Sequence, residues 1–175
     1  TPSISLNFFD TKTSQITSFP YYLNLSVDKE LTFTPMIKYG GGVDSSQRFL
    51  FDYNQILSGG QLSADLTFDS NFENQNNNKW LSDASLITNY SQNLNSNYKL
   101  SIDSELQTSQ NYIQITNPDD ELSYKNSLST KFFLEGFNLN KIDDYFNASL
   151  NFYQTNQENE ENKTTPTVLP YLSYY

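Results

Sequence analysis

The 175-residue chain contains no cysteine and no histidine. Without cysteine there is no disulfide framework and no thiolate metal site. Without histidine there is no serine–histidine triad, and the usual general base and commonest metal ligand are missing together. Basic residues are scarce, 10 against 20 acidic ones, giving a net charge of −10. That balance argues against nucleic acid, or an anionic lipid surface, as a simple electrostatic partner. No apolar run reaches the ~18 residues that a transmembrane helix needs. Thr1 does not open a basic stretch followed by an apolar core, so any signal peptide lies upstream. The chain closes on Leu172-Ser173-Tyr174-Tyr175, inside a strand-like pattern. Residues 1–175 therefore read as part of one domain cut at both ends, with no catalytic constellation, no cofactor motif and no metal site.

What the chain does have is aromatic and alternating. Phenylalanine and tyrosine number 13 each, and asparagine and serine fill much of the remainder. Period-two alternation dominates, and helical spacing is nearly absent. Thr17, Phe19, Tyr21, Leu23 and Leu25 share one strand face, and Leu31, Phe33, Pro35, Ile37 and Tyr39 the next. Leu62, Ala64, Leu66 and Phe68 oppose Ser63, Asp65, Thr67 and Asp69. Tyr98, Leu100, Ile102 and Leu106 oppose Lys99, Ser101, Asp103 and Glu105. Leu128, Thr130, Phe132 and Leu134, then Phe146, Ala148, Leu150 and Phe152, continue the pattern. The expectation is all-β, with about ten long antiparallel strands.

Connection lengths carry a second signal. Short turns fall at Ser26 to Lys29, Ser58 to Gly60, Asn93 to Asn97 and Asn138 to Asp143. Long polar loops fill the alternate places, Gly40 to Gln47, Asn71 to Lys79, Thr108 to Leu122 and Gln154 to Thr165. Such alternation is the pattern of an up-and-down transmembrane β-barrel, whose turns are short on one side of the membrane and long on the other. Strands of about ten residues, tilted by ~45°, span about 25 Å, the height of an outer-membrane apolar band. The fragment is thus expected to form a curved open sheet from a larger barrel, in the bacterial outer membrane and against its lipid. Tyr39, Tyr53, Phe72, Trp80, Tyr90, Tyr98, Tyr145 and Tyr153 lie near strand ends and fit interfacial girdles, although aromatics are common in strands of any kind. Charges avoid the apolar faces. Asp65, Asp83, Lys99, Asp103, Glu105, Lys131 and Glu135 become candidate lumen-lining residues. Asp69 to Glu73 lacks the glycine and terminal glutamate of a calcium loop and reads as an ordinary loop.

Two prolines interrupt adjacent strands, Pro20 in Phe19-Pro20-Tyr21-Tyr22-Leu23-Asn24-Leu25 and Pro35 in Leu31-Thr32-Phe33-Thr34-Pro35. Proline cannot donate to a ladder, so these residues either weaken the sheet locally or simply place bulges and strand ends. The stretch resembles the start of the barrel in the LptD family of lipopolysaccharide-assembly proteins, with roughly Pro-Tyr-Tyr-Trp-Asn, an acidic residue, then Thr-x-Thr-Pro. Leu23 stands where that family has tryptophan, and Val27 where a turn proline often sits. Gln47 to Tyr53 and Gly59-Gly60-Gln61-Leu62 are similar to its following strands. The resemblance implies that Pro20 and Pro35 border a lateral gate, and that lipopolysaccharide sends its sugar through the lumen and its lipid through the seam. It also implies an LptE-like plug lipoprotein and a periplasmic LptA-like bridge as partners. Ser26 to Lys29 would then face the periplasm, after a first strand at Ser3 to Phe9. A porin or receptor-type channel, or a soluble β-sandwich binding module, are the alternatives the residues leave open.

Overall fold

The computed structural model describes residues 5–6, 15–40, 43–71, 83–110, 112–116, 121–140, 143–156 and 168–175. Almost all of them lie in one antiparallel sheet, as the period-two pattern requires. Its strands are β1 (Ser5–Leu6), β2 (Gln15–Ser18), β3 (Tyr21–Ser26), β4 (Lys29–Gly40), β5 (Val43–Leu57) and β6 (Gly60–Asn71), followed by β7 (Asp83–Asn93), β8 (Tyr98–Gln107), β9 (Ser127–Phe137), β10 (Tyr145–Thr155) and β11 (Val168–Tyr174). Apart from β2 and β3, which line the same edge of β4, each strand pairs with its neighbours in sequence. The sheet is open, because neither β3 nor β11 has a second partner among the described residues. One short helix, α1 (Tyr112–Thr116), and a 3-10 turn at Glu121–Tyr124 lie between β8 and β9.

Register sorts the side chains onto two unlike faces. Because the pleat alternates and paired residues share a face, rows can be followed across the sheet. One row runs Tyr21, Phe33, Phe51, Leu66, Leu86 and Leu106. The next runs Leu31, Tyr53, Ala64, Thr88, Ser104, Thr130 and Phe152, and the one after it Gln55, Leu62, Tyr90, Ile102, Phe132 and Leu150. On the opposite face one row reads Asn54, Ser63, Asn89, Asp103, Lys131 and Asn151. Met36, Leu50, Ile56, Ile87, Phe133 and Phe137 are apolar intrusions on that polar face. Among the described residues the apolar face carries one charge, Lys29, at the turn end of β4, where its stem can carry the ammonium outward.

Apart from Leu128, which packs with Tyr112 and Ile113 where β8 and β9 part, little that is described covers the apolar face. Leu106 and Phe152 are 44% and 42% exposed, and only Tyr112, Ile113 and Leu128 are buried apolar side chains among the described residues. Hydroxyls within the apolar face satisfy one another, since Ser104 and Thr130 lie at 3.0 Å. Five rings stack on this face at one end, with Phe33 4.8 Å from Phe51 and Phe49 4.9 Å from Phe68. Tyr21 joins them at 6.4 Å from Phe33. Offset-stacked pairs of this kind add about 0.5–1.5 kcal/mol each beyond their buried area.

The turns at one end form as expected. Gly59 takes a positive φ of 88° at the third position of the turn from Leu57 to Gly60, where glycine is favoured, and a Cβ on Gly60 would run into the Ser91 carbonyl. The other end differs in two places. The expected long loop from Gly40 to Gln47 is a continuation of the hairpin, with β4 ending at Gly40 and β5 beginning at Val43. Its polar residues extend a strand pair instead of leaving it. Asp69 and Ser70 likewise belong to β6 instead of to a loop. The expected first strand at Ser3 to Phe9 is described only at Ser5–Leu6. Phe72, Trp80 and most of the Asn71 to Lys79 and Gln154 to Thr165 loops lie outside the described residues, as does the side chain of Tyr39.

Candidate functional site

The polar face gathers the ionisable residues singled out from the sequence. Asp65, Asp83, Lys99, Asp103, Glu105, Lys131 and Glu135 all fall on it by register. Lys99 stands opposite Glu135, and Asp103 opposite Lys131, so opposite charges occupy facing register positions on β8 and β9. Such cross-strand pairs contribute about 0.2–1 kcal/mol each. Like charges also meet: Asp52 opposes Asp65, and Asp69 opposes Asp83. The second of these clashes is relieved by Arg48. Its Nε donates to Asp69 Oδ1 at 2.7 Å and its Nη2 to Oδ2 at 3.0 Å, a bidentate geometry that arginine's planar fork suits.

The segment joining β8 to β9 folds back over this face. Tyr112 of α1 lies beside Arg48 and Asp69, with Asp83 beyond; burial first, then the Asp69 charge, pushes its phenol pKa well above the ordinary tyrosine range. Ser109 donates to Asp83. The Ile113 amide donates to Gln107 Oε1 at 3.1 Å, and Gln107 Nε2 donates to Asn156 Oδ1 at 3.0 Å. Asn156 Nδ2 in turn donates to the carbonyls of Leu122 and Lys125, at 3.1 and 2.9 Å. Lys125 meets Glu105 at 2.6 Å. This is the most buried part of the described structure, with Leu128 and Asn156 both at 0% exposure.

The same segment parts two strands. The β8–β9 register ends at Ser104 opposite Thr130, although β8 continues to Gln107 and β9 begins at Ser127. Side chains take over the orphaned backbone groups. Glu105 Oε2 accepts the Ser129 amide at 3.2 Å, and Gln154 bonds both the amide and the carbonyl of Gln107 at 3.0 and 2.6 Å. A backbone group left unmade there costs about 1–3 kcal/mol, so these substitutions are needed for the parting to persist.

The short-turn end is built differently. A groove of about 530 Å³ opens there between Tyr22, Asn24, Glu30, Asn54 and Ser63. The Ser26 hydroxyl donates to the Asp28 carboxylate and holds it below its usual range. On the apolar face of this end, Tyr53 donates to Gln55 at 2.9 Å and Tyr90 donates to Gln92. Both hydroxyls point to an amide one step nearer the turn, making a polar rim. Tyr98 joins that face, whereas Tyr145 and Tyr153 lie on the polar one, so they do not belong to an apolar-face girdle.

The two prolines are not equivalent. Ser18 pairs with Met36 and Tyr21 with Phe33, so β2 and β3 are one strand in constant register, broken at Phe19-Pro20. Phe19 donates its amide to the Pro35 carbonyl at 3.0 Å. Residues so paired exchange two bonds, and Pro35 has no amide to return the second. By the pleat, the Pro20 nitrogen points the other way, to the outer edge of β3. Pro35 therefore removes one ladder bond, and Pro20 lacks a donor on the side away from β4, which is an edge at that position among the described residues. At the far edge, Pro170 occupies the irregular stretch of β11 where its register against β10 shifts.

No protein-family model, no curated protein and no solved structure matches the chain.

Proposed function

We propose that this chain is a stretch of the wall of a bacterial outer-membrane β-barrel, with its apolar face against lipid and its polar face on an aqueous lumen. One observation carries the reading. A face several strands wide holds mostly tyrosine, phenylalanine and aliphatic residues, with some hydroxyls and amides among them and a single charge at its rim, while the opposite face holds the remaining strand charges. Water offers no reason to keep such a face open, because exposed apolar patches of this extent mark binding or membrane surfaces. A bilayer does, since a charge on the lipid side costs about 2–4 kcal/mol at midplane. The Tyr–Gln rim fits the headgroup level, where aromatic rings with one polar end settle.

For cargo, the Phe19–Pro35 resemblance favours lipopolysaccharide, its sugar passing along the polar face and its lipid leaving at the edge that Pro20 borders. An LptE-like plug and an LptA-like bridge belong to this proposal. A photo-crosslinking residue at Asp103 or Asn89 of the whole protein, in its native cells, tests it. Lipopolysaccharide adducts at those polar-face positions are expected only if the glycolipid enters the lumen. A folded barrel giving no such adduct would instead favour a porin or receptor-type channel.

A further inference from the structure

The fold places its densest polar network where no sheet needs one. Alternate connections of a barrel wall can simply project into solvent. Here α1 and the 3-10 turn lie against the polar face, with Tyr112, Ile113 and Ser123 each at most 8% exposed. Their attachments reach far along the sheet, to Arg48 and Asp69 on β5 and β6, to Asp83 on β7 and to Glu105 and Gln107 on β8. The last anchor is Asn156, just beyond β10.

We propose that α1 and the 3-10 turn form an inward-folded constriction, latched to the barrel wall through Gln107, Asn156 and the Glu105–Lys125 pair, that narrows the passage for hydrated solutes. The proposal rests on the polar face lining a lumen. Three features suit a latch better than a fixed core. It is held mainly by amides and charges, with few apolar side chains. The Glu105–Lys125 pair stays partly open to solvent, 18% and 40% exposed, so solvent can compete for it. And β8 has already separated from β9 at the hinge, its backbone bonds replaced by side chains that can be exchanged. A lining of this kind sets which hydrated species pass, by width and by the charges presented.

Asn156→Ala removes both hydrogen bonds to the turn and the partner of Gln107, and Glu105→Gln removes the ion pair. The whole protein, purified in detergent and inserted into planar phospholipid bilayers, is compared with each variant. Trypsin cleavage after Lys125 reports release of the turn, and gel mobility before and after boiling reports barrel folding. Asn147→Ala, on the same face away from the segment, is the control. Expected is faster cleavage at Lys125 together with a conductance rise of about twofold or more in folded variants, with the control unchanged. Faster cleavage without a conductance change overturns the constriction and leaves the barrel wall standing. Unchanged cleavage in both folded variants overturns the latch. Failure of the parent protein to insert overturns the lumen reading and this proposal with it.

Discussion

A lysine placed at Ile102 should cost far more than one placed a single residue earlier. Ile102 stands in the middle of β8, between Tyr90 and Phe132 on the apolar face. Ser101 stands between Ser91 and Phe133 on the polar face. In a bilayer, Ile102→Lys should destabilise by about 2–4 kcal/mol, which is about 30- to 800-fold in the folding equilibrium. Ser101→Lys should stay within about 0.5 kcal/mol, as surface changes do. Tyr98→Lys, on the same face as Ile102 but at the turn end, should cost only about 0–1 kcal/mol, because the penalty fades towards the interface. The assay is urea titration of the whole protein in phospholipid vesicles, scored by the heat-dependent gel mobility of the folded form. Equal costs at positions 101 and 102 would refute the orientation. A flat cost from 102 to 98 would indicate a protein core in place of lipid.

Other consequences follow from particular contacts. Pro35→Ala supplies the amide missing opposite Phe19 and should stabilise the β3–β4 pairing by about 0.5–1.5 kcal/mol, read as slower amide exchange in β3. Pro20→Ala should leave that exchange unchanged, since its nitrogen faces outward. Arg48→Met leaves Asp69 and Asp83 face to face without their cation, and a loss of about 1–3 kcal/mol, with quicker proteolysis of the segment after Ser109, is expected. Tyr112 has its folded pKa raised, so its contribution is fully present below its unfolded value of about 10 and is lost as pH rises from there through the folded value. Alkaline titration should therefore show one phenol ionising after the exposed tyrosines, and Tyr112→Phe should remove that late step. A titration identical in the two proteins would contradict the placement of Tyr112.

The strands and their faces were legible because alternation is local: Leu62 to Phe68 and Tyr98 to Leu106 declare their inward and outward sets without any partner. Gly59-Gly60 declared its turn for the same reason. Register is not local. That Arg48 meets Asp69, and that Asp83 lies beside them, depends on pairings of β5 with β6 and β6 with β7 that no spacing in the chain specifies. Gly40-Gly41-Gly42 followed by polar residues resembled a long loop, because glycine marks turns and polarity marks solvent. Gly40 ends β4, and the residues from Val43 to Gln47 belong to β5 beyond the apolar rows, where a strand can be polar on both sides. Tyr112-Ile113 was hidden in a polar stretch; one helical turn is too short to show a period. Proline is visible in any sequence, but which side of a strand it disarms is fixed by pairing alone. Pro35 and Pro20 differ for that reason, and Pro170 gains its edge position only from the fold.

Residues 1–175 contain no cysteine, so once any cysteine elsewhere in the whole protein is replaced, a single thiol can be placed at each position of β8 in turn. Spin labels at 98–107, with the protein in vesicles, report collisions with lipid-soluble oxygen and with a water-soluble nickel chelate. Labels at Leu100, Ile102 and Ser104 should favour oxygen, and those at Lys99, Ser101 and Asp103 the nickel, in strict alternation. Nickel access at both sets, or oxygen preference at neither, would contradict a membrane wall with lipid on one face and water on the other.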